Sequence, residues 1–331
     1  MSKLPIKNEL GFFEIRLESI GGLGAHLAGK MLAEAGVLGL GLYGSHFSSY
    51  GSEKKGSPVK SYVRFGEREI RASSPVERPH IVGVFHENLF KTIDVANGLY
   101  PDGVIIVNTT KTPEEIRERF NIKSGTVAVV DALGIAVEEK TRVNTAMLGA
   151  IFRVADFLDP EAMKNVLRAT FEEKYPQLVD ANIRTFERGY NEVQFKTYEP
   201  EKGAVAEYIR PISALGYETQ PIGGVIINPG NSILKDLSSS RQGFLPAFEQ
   251  EKCINCASCD FACPDFCFVW EEKEDKKGRP QMFLQGIDYQ YCKGCMKCVA
   301  VCPTGALTKI REVDGYADEH RVPHQFVLAS N

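Results

Sequence analysis

The first 252 residues of this 331-residue chain contain no cysteine; all nine cysteines fall between Cys253 and Cys302. A secreted, disulfide-stapled fold is excluded, because its staples would be spread along the chain, and thiolate chemistry in a reducing compartment is indicated instead. Neither sign of charge is in excess: 39 Lys and Arg against 43 Asp and Glu leave a net charge of −4, without the basic footprint of a nucleic-acid binder. Long hydrophobic runs are missing too, and nothing approaches the ~20 residues that cross a bilayer. The N-terminal MSKLPIKNELGFFEIRLES has charges interrupting its apolar residues and lacks a signal-peptide core. A cytoplasmic chain with neither membrane nor nucleic-acid partner is therefore expected. Its 43% apolar and 25% charged residues are those of a globular protein. The length suits two domains of ~150 residues each.

The cysteines that are present fall into two equal runs. Cys253, Cys256, Cys259 and Cys263 read C-x2-C-x2-C-x3-C and are followed by Pro264; Cys292, Cys295, Cys298 and Cys302 repeat the pattern before Pro303. This doubled run, each copy closed by Cys-Pro, is the ligand pattern of a two-cluster bacterial ferredoxin, in which the fourth cysteine of each run serves the other cluster. Soft thiolates suit iron–sulfur cages, and two-residue gaps let three of them wrap one face of a cube. One [4Fe-4S] cluster is accordingly assigned Cys253, Cys256, Cys259 and Cys302, and the second Cys292, Cys295, Cys298 and Cys263. A zinc ribbon needs only four ligands and leaves the rest of each run unexplained. The ninth, Cys267, lies in the apolar stretch Phe266-Cys267-Phe268-Val269-Trp270 and reads as a small buried hydrophobe rather than a ligand. Ile254, Phe261, Phe266, Val299, Val301 and Leu307 are expected to form an apolar shell that keeps water from the clusters. Lys252, Lys293, Lys297 and Arg279 are expected near the acidic stretch Glu271 to Asp275, which with Lys276-Lys277-Gly278 reads as a solvated hairpin tip.

Upstream, short β-rich runs alternate with helix-length segments. Glu14 to Ile20 alternates as a strand and is followed by Gly21-Gly22-Leu23-Gly24 and a helical stretch, Ala25 to Ala35. Val59 to Phe65, Ile81 to Phe85, Val104 to Asn108 and Thr126 to Asp131 are further strand candidates, and Asn144 to Leu158 and Pro160 to Tyr175 read as helices, with Phe186 and Tyr190 on one face of a third. The pattern predicts an α/β domain with a mainly parallel, doubly wound sheet, followed by a small α+β two-[4Fe-4S] domain. Gly21, Gly22 and Gly24 read either as a tight strand-to-helix turn with close packing or as backbone amides offered to a ligand or a neighbouring subunit. The full G-x-G-x-x-G dinucleotide fingerprint is absent, since Leu27 stands where the last glycine belongs, and no acidic residue marks a second strand end. Ser48 to Pro58 is a loop by composition. Pro, Gly and Ser between Tyr198 and Glu251 suggest an extended connector, giving domains at 1–200 and 251–331 joined by 201–250.

Together these segments resemble the 2-oxoacid:ferredoxin oxidoreductase family, with its gamma and delta subunits fused in one chain. The gamma resemblance rests on Gly21-Gly22-Leu23-Gly24-Ala25, on Tyr50 to Val59 and on Arg142-Val143-Asn144-Thr145. The delta resemblance rests on Pro221-Ile222-Gly223-Gly224-Val225, Pro229-Gly230-Asn231-Ser232 and the two cysteine runs. It implies oxidative decarboxylation of a 2-oxoacid, pyruvate-like or, with unusual acceptor chemistry, oxalate, at thiamine diphosphate and magnesium held by partner alpha and beta subunits, in a dimer of heterotrimers. Electrons would leave through two [4Fe-4S] clusters to an external ferredoxin. The family's thiamine motif is missing from this chain, Pro101-Asp102-Gly103 and Val313-Asp314-Gly315 being no substitutes, and no residue stands out as a nucleophile or general base. Leu23 replaces the glutamine usual in the family's glycine turn. That loss of a polar amide puts coenzyme A in doubt as acceptor and is compatible with an oxalate-type member. The competing readings are a self-contained nucleotide-dependent iron–sulfur reductase, and an N-terminal domain that serves only as an assembly platform.

Overall fold

In the computed structural model, which describes residues 3–50, 58–200, 222–223, 236–241, 243–275 and 277–325, the alternating stretch near the N-terminus is strand β1 (Phe12–Ile20). There follow α1 (Ala25–Leu40), β2 (Tyr43–Tyr50), β3 (Pro58–Gly66), β4 (Ile81–Val84), β5 (Val104–Asn108), α2 (Pro113–Arg119) and β6 (Gly125–Val130). Helices α3 (Ala132–Glu138), α4 (Val143–Val154), α5 (Pro160–Glu172) and α6 (Val179–Glu192) and strand β7 (Gln194–Tyr198) complete the first of two units, Met1–Val205 and Ala206–Asn331. The seven strands form one sheet in the order β2-β3-β1-β4-β5-β6-β7. Its centre, β1, β4, β5 and β6, is parallel, and β2, β3 and β7 run antiparallel at the flanks. This is the α/β class expected from the alternation of strands and helices. Three helices start where the sequence supplies a cap: Thr112 and Glu115 form a capping box before α2, and Asp131 and Asp159 cap α3 and α5.

The two faces of β1 are buried by different means. Phe13, Ile15 and Leu17 face the helices: Phe65, the cross-strand partner of Phe13, packs on Gly36 of α1, and Leu17 and Ile151 of α4 both close on Gly83. On the other face lie Glu14, Arg16 and Glu18, which alternation alone would give to solvent, yet every residue of β1 is buried. Each acid stands opposite a base on β3, Glu14 facing Arg64 and Glu18 facing Lys60, so the register sets opposite charges directly across the strands. Arg16 bridges to Glu18 at 2.9 Å. Its guanidinium also donates to the carbonyls of Val95 at 2.9 Å and Asn97 at 2.7 Å, with longer bonds to those of Val76 and Glu77. One side chain thus pins two stretches of the β3–β4 and β4–β5 connections over this face.

Two local differences from the sequence expectations have simple causes. Ser48, Ser49 and Tyr50 are the end of β2, paired with Ser61, Lys60 and Val59; polar residues on an edge strand are indistinguishable from a loop by composition. Gly51 to Ser57 lies outside the described residues, as do Pro221-Ile222-Gly223-Gly224-Val225, apart from Ile222 and Gly223, and Pro229 to Ser232. Within the compositional connector, Phe244–Phe248 is strand β8 of the second unit.

That unit continues with α7 (Ser258–Ala262), β9 (Phe268–Glu274), β10 (Pro280–Ile287), α8 (Lys297–Val301), β11 (Leu307–Arg311) and α9 (Tyr316–Glu319). Strand β8 pairs with β11, and β9 with β10 as a hairpin. Among the described residues no helix is long and apolar enough to cross a membrane.

Arg16→Leu should lower the stability of the first unit by about 3–5 kcal/mol, because it leaves the Glu18 carboxylate buried without its nearest cation. The only tryptophan, Trp270, is in the second unit. Urea unfolding should therefore show an early loss of helical circular dichroism while tryptophan fluorescence holds its wild-type midpoint.

Candidate metal centres and the glycine turn

The two cysteine runs fold as near copies. The two-residue gaps contain residues in the left-handed region at matching places, Asn255 (φ 54) and Ala257 (φ 58) in the first run, Gly294 (φ 66) and Met296 (φ 61) in the second. For Ala257 and Met296 that conformation costs roughly 1–2 kcal/mol each, and it turns successive backbone N–H groups inward, as anionic and iron–sulfur sites require. Each short helix then carries the third cysteine, Cys259 on α7 and Cys298 on α8, and ends with the fourth, Cys263 or Cys302, at its C-cap.

The thiols gather around two hollows. One is lined by Cys253, Cys256, Cys259 and Cys302, the other by Cys292, Cys295, Cys298 and Cys263. The fourth cysteine of each run thus sits with the three thiols of the other run. Among the described residues no three cysteine, histidine or carboxylate side chains converge on one point, as a single tetrahedral ion demands. A rim of four thiols around open space fits a polynuclear cage instead. The first hollow is also lined by Trp270, whose indole N–H is buried and without an acceptor among the described residues.

Burial pushes the Cys259 thiol up to about 11 and Cys298 up to about 12. Hydrogen bonding with Cys267 pulls Cys263 down to about 6. Filling the hollows therefore means displacing protons from the buried third cysteines, so metal loading and pH are linked. Cys267 is buried, in keeping with the sequence, but it is more than filler: it lines the second hollow with its Sγ 3.5 Å from that of Cys263.

Support for the runs comes from residues that spacing does not reveal. The Asn255 carboxamide oxygen accepts from Leu284 N at 3.0 Å, holding the first run to β10. Arg241, buried, donates to the carbonyls of Cys292 (3.0 Å) and Tyr289 and pairs with Glu312 at 2.6 Å, fixing the start of the second. The apolar shell differs from the expected one. Leu307 is buried, Val299 is partly so, and Ile254, although largely exposed, lines the first hollow, but Phe261 is 90% and Phe266 69% exposed and Val301 also faces outward. Phe261 follows Cys259 by two positions, about 200° around the helix, so turning the thiol inward turns the ring out. Phe248, Trp270 and Leu284 line the first hollow instead, with Pro246, Phe268 and Ile287 on the second. Of the basic residues expected beside the acidic stretch, Arg279 pairs with Asp275 at 2.7 Å, whereas Lys252 pairs with Glu249 and Lys293 with Asp265.

In the first unit, Gly22 (φ 112) and Gly24 (φ 82) make the strand-to-helix turn, and Leu23 packs into the core. Helices α1 and α4 both begin without a side-chain cap. Gly24 lies against Asn144, the second residue of α4, whose buried Oδ1 has no hydrogen-bond partner among the described residues. Beside this turn is a polar group that no motif announced: His26 Nδ1 is 3.1 Å from Ser48 Oγ, and His46 Nε2 is 2.9 Å from Ser61 Oγ. The two imidazoles are 4.9 Å apart.

Burial, with His26 and Lys30 nearby, pulls His46 down to about 4. The folded chain keeps this ring neutral while the unfolded one titrates near ~6.5. Its contribution to stability is complete above that value and is lost as the pH falls towards 4. The urea midpoint of the first unit should drop between pH 7 and 5, and His46→Gln should flatten that dependence; equal slopes for both proteins would contradict the assignment.

Residues 14–192 match the model of the pyruvate ferredoxin/flavodoxin oxidoreductase family, and residues 252–306 match a 4Fe-4S dicluster domain. Pyruvate synthase subunit PorC of Thermotoga maritima is 41% identical over 186 residues, covering 55% of this chain and 95% of that protein. The pyruvate/ketoisovalerate oxidoreductases common subunit gamma of Pyrococcus abyssi is 34% identical over 183 residues, covering 55% of this chain and 97% of its own length. The crystal structure of pyruvate oxidoreductase subunit PORC from Thermotoga maritima covers 56% of this chain and 98% of its own at 36% identity, with a TM-score of 0.49. Carrying a gamma-type domain and a 4Fe-4S dicluster domain in one polypeptide, the chain belongs to the pyruvate ferredoxin/flavodoxin oxidoreductase family.

Proposed function

We propose that this chain is the fused gamma and delta subunit of a thiamine-dependent 2-oxoacid:ferredoxin oxidoreductase of the cytoplasm, and that it relays electrons. The observation that carries this is the pair of hollows, each rimmed by four thiols with the fourth cysteine exchanged between runs. Cys253, Cys256, Cys259 and Cys302 would hold one [4Fe-4S] cluster, and Cys292, Cys295, Cys298 and Cys263 the other. Bound there, the clusters supply one-electron carriage. The chain's own residues deliver deprotonated sulfur, exclude water through Trp270, Leu284, Phe268 and Ile287, and fix the loops through Asn255 and Arg241.

Thiamine diphosphate and magnesium belong in this account to alpha and beta partners, in a dimer of heterotrimers, and an external ferredoxin takes the electrons. Gly21, Gly22 and Gly24 would contact a ligand or one of those partners. Two uncapped helix starts and the unpaired Asn144 oxygen at that turn support the assignment. With Leu23 buried in the core, position 23 offers no side-chain amide to an acyl acceptor, which favours an oxalate-type substrate that needs no coenzyme A.

The test is anaerobic bleaching of the clusters in the native complex by single 2-oxoacids, with and without coenzyme A. Reduction by oxalate alone is expected; reduction only with pyruvate and coenzyme A would refute the substrate assignment and leave the relay standing. Failure of every 2-oxoacid to reduce clusters that dithionite does reduce would refute the relay. Cys302→Ser and Cys263→Ser should each cut the iron content from about eight to about four per chain, and unchanged iron in either would refute the crossed ligand sets.

A further inference from the structure

The two runs differ at one buried position that faces the metal site. Aligned on their fourth cysteines, Cys263 with Cys302 and Pro264 with Pro303, the chain places Phe266 (φ 49) against Gly305 (φ 69). It then places Cys267 against Ala306 and Phe268 against Leu307. Cys267 and Ala306 are 3% and 2% exposed, and each lines the hollow that its own run's fourth cysteine reaches, Cys267 the second and Ala306 the first. A thiol therefore reaches the second hollow where only a methyl reaches the first.

The geometry of that thiol is specific. Its Sγ is 3.5 Å from the sulfur of Cys263, and its backbone N–H donates to the same sulfur at 3.5 Å. Cys292 lines the same hollow as Cys267. Cys263 and Cys292 come from different runs but rim the same hollow. We propose that Cys267 is a positioning residue that raises the reduction potential of the second cluster by donating its S–H to the ligand sulfur of Cys263. This rests on the two-cluster function proposed above.

The cause is electrostatic. Reduction adds negative charge that spreads onto the ligand sulfurs, and a donor aimed at them stabilises the reduced form more than the oxidised one. A thiol is a weak donor, but in a water-excluded pocket even a weak dipole acts nearly unscreened. Ala306 offers no such donor to the first hollow, so this position shifts the potential of the second centre relative to the first.

The experiment is a potentiometric titration of the anaerobically purified complex, followed by electron paramagnetic resonance, with iron counted in each sample. In Cys267→Ala one of the two potentials should shift negative while the other holds, with iron unchanged. Cys267→Ser, which keeps a donor, should titrate closer to wild type. Ala306→Cys should shift the other potential positive. Full iron with both potentials unmoved in Cys267→Ala, or both moved equally, overturns the proposal and leaves the two-cluster function intact. If Cys267→Ala loses half its iron, Cys267→Ser decides: a retained cluster near the wild-type potential supports the donor role, and a lost cluster overturns it. A wild-type complex without iron would overturn both.

Discussion

Eight thiols brought around two hollows constitute the constraint on which the second unit depends. Its core is small, and Cys259, Cys267, Cys292 and Cys298 take places in it beside Leu245, Phe268, Leu284, Ile287 and Leu307. As thiolates these groups repel one another; as thiols they leave the hollows unfilled and the left-handed strain at Ala257 and Met296 uncompensated. A cationic cage bonded to sulfur would resolve both problems and would couple cluster binding to the folding of this unit. The Arg241, Asn255 and Asp265–Lys293 contacts then serve to hold the loops in the shape that the cage needs.

The first unit answers a different demand. Its sheet is covered on one face by helices and, at β1, on the other by irregular chain, which brings many backbone carbonyls against buried surface. Arg16 satisfies several of them, and the opposed pairs Glu14–Arg64 and Glu18–Lys60 keep the remaining charge balanced. Polar burial of this kind fixes register more than it adds stability. It holds β1 so that its C-terminal end delivers the glycine turn to the start of α4.

What the sequence made legible follows from how local each signal is. Alternation and β-branched runs placed β1, β3, β4, β5 and β6 within a residue or two, since those strands carry their own apolar pattern. Strand β2 was missed because Ser48, Ser49 and Tyr50 owe their conformation to pairing with β3, and β8 was missed because its partner, β11, lies some sixty residues away in sequence. The cysteine spacing named the thiols that the fold gathers into each hollow, because ligand geometry is written in short gaps. The apolar shell was not readable in the same way: Phe261 and Phe266 are apolar neighbours of cysteines, yet their direction depends on helix phase and on a positive φ. His26, His46, Asn144 and Arg241 have no motif, and their roles arise only from which elements meet.

The account stands most directly on what the chain carries when isolated anaerobically with whatever co-purifies, assayed for iron, sulfide, zinc, thiamine, flavin and nicotinamide. About eight irons and eight sulfides per chain, with thiamine diphosphate on accompanying subunits, is the predicted result. A solitary chain with zinc at its thiols, or with a flavin or nicotinamide on its first unit, would contradict it.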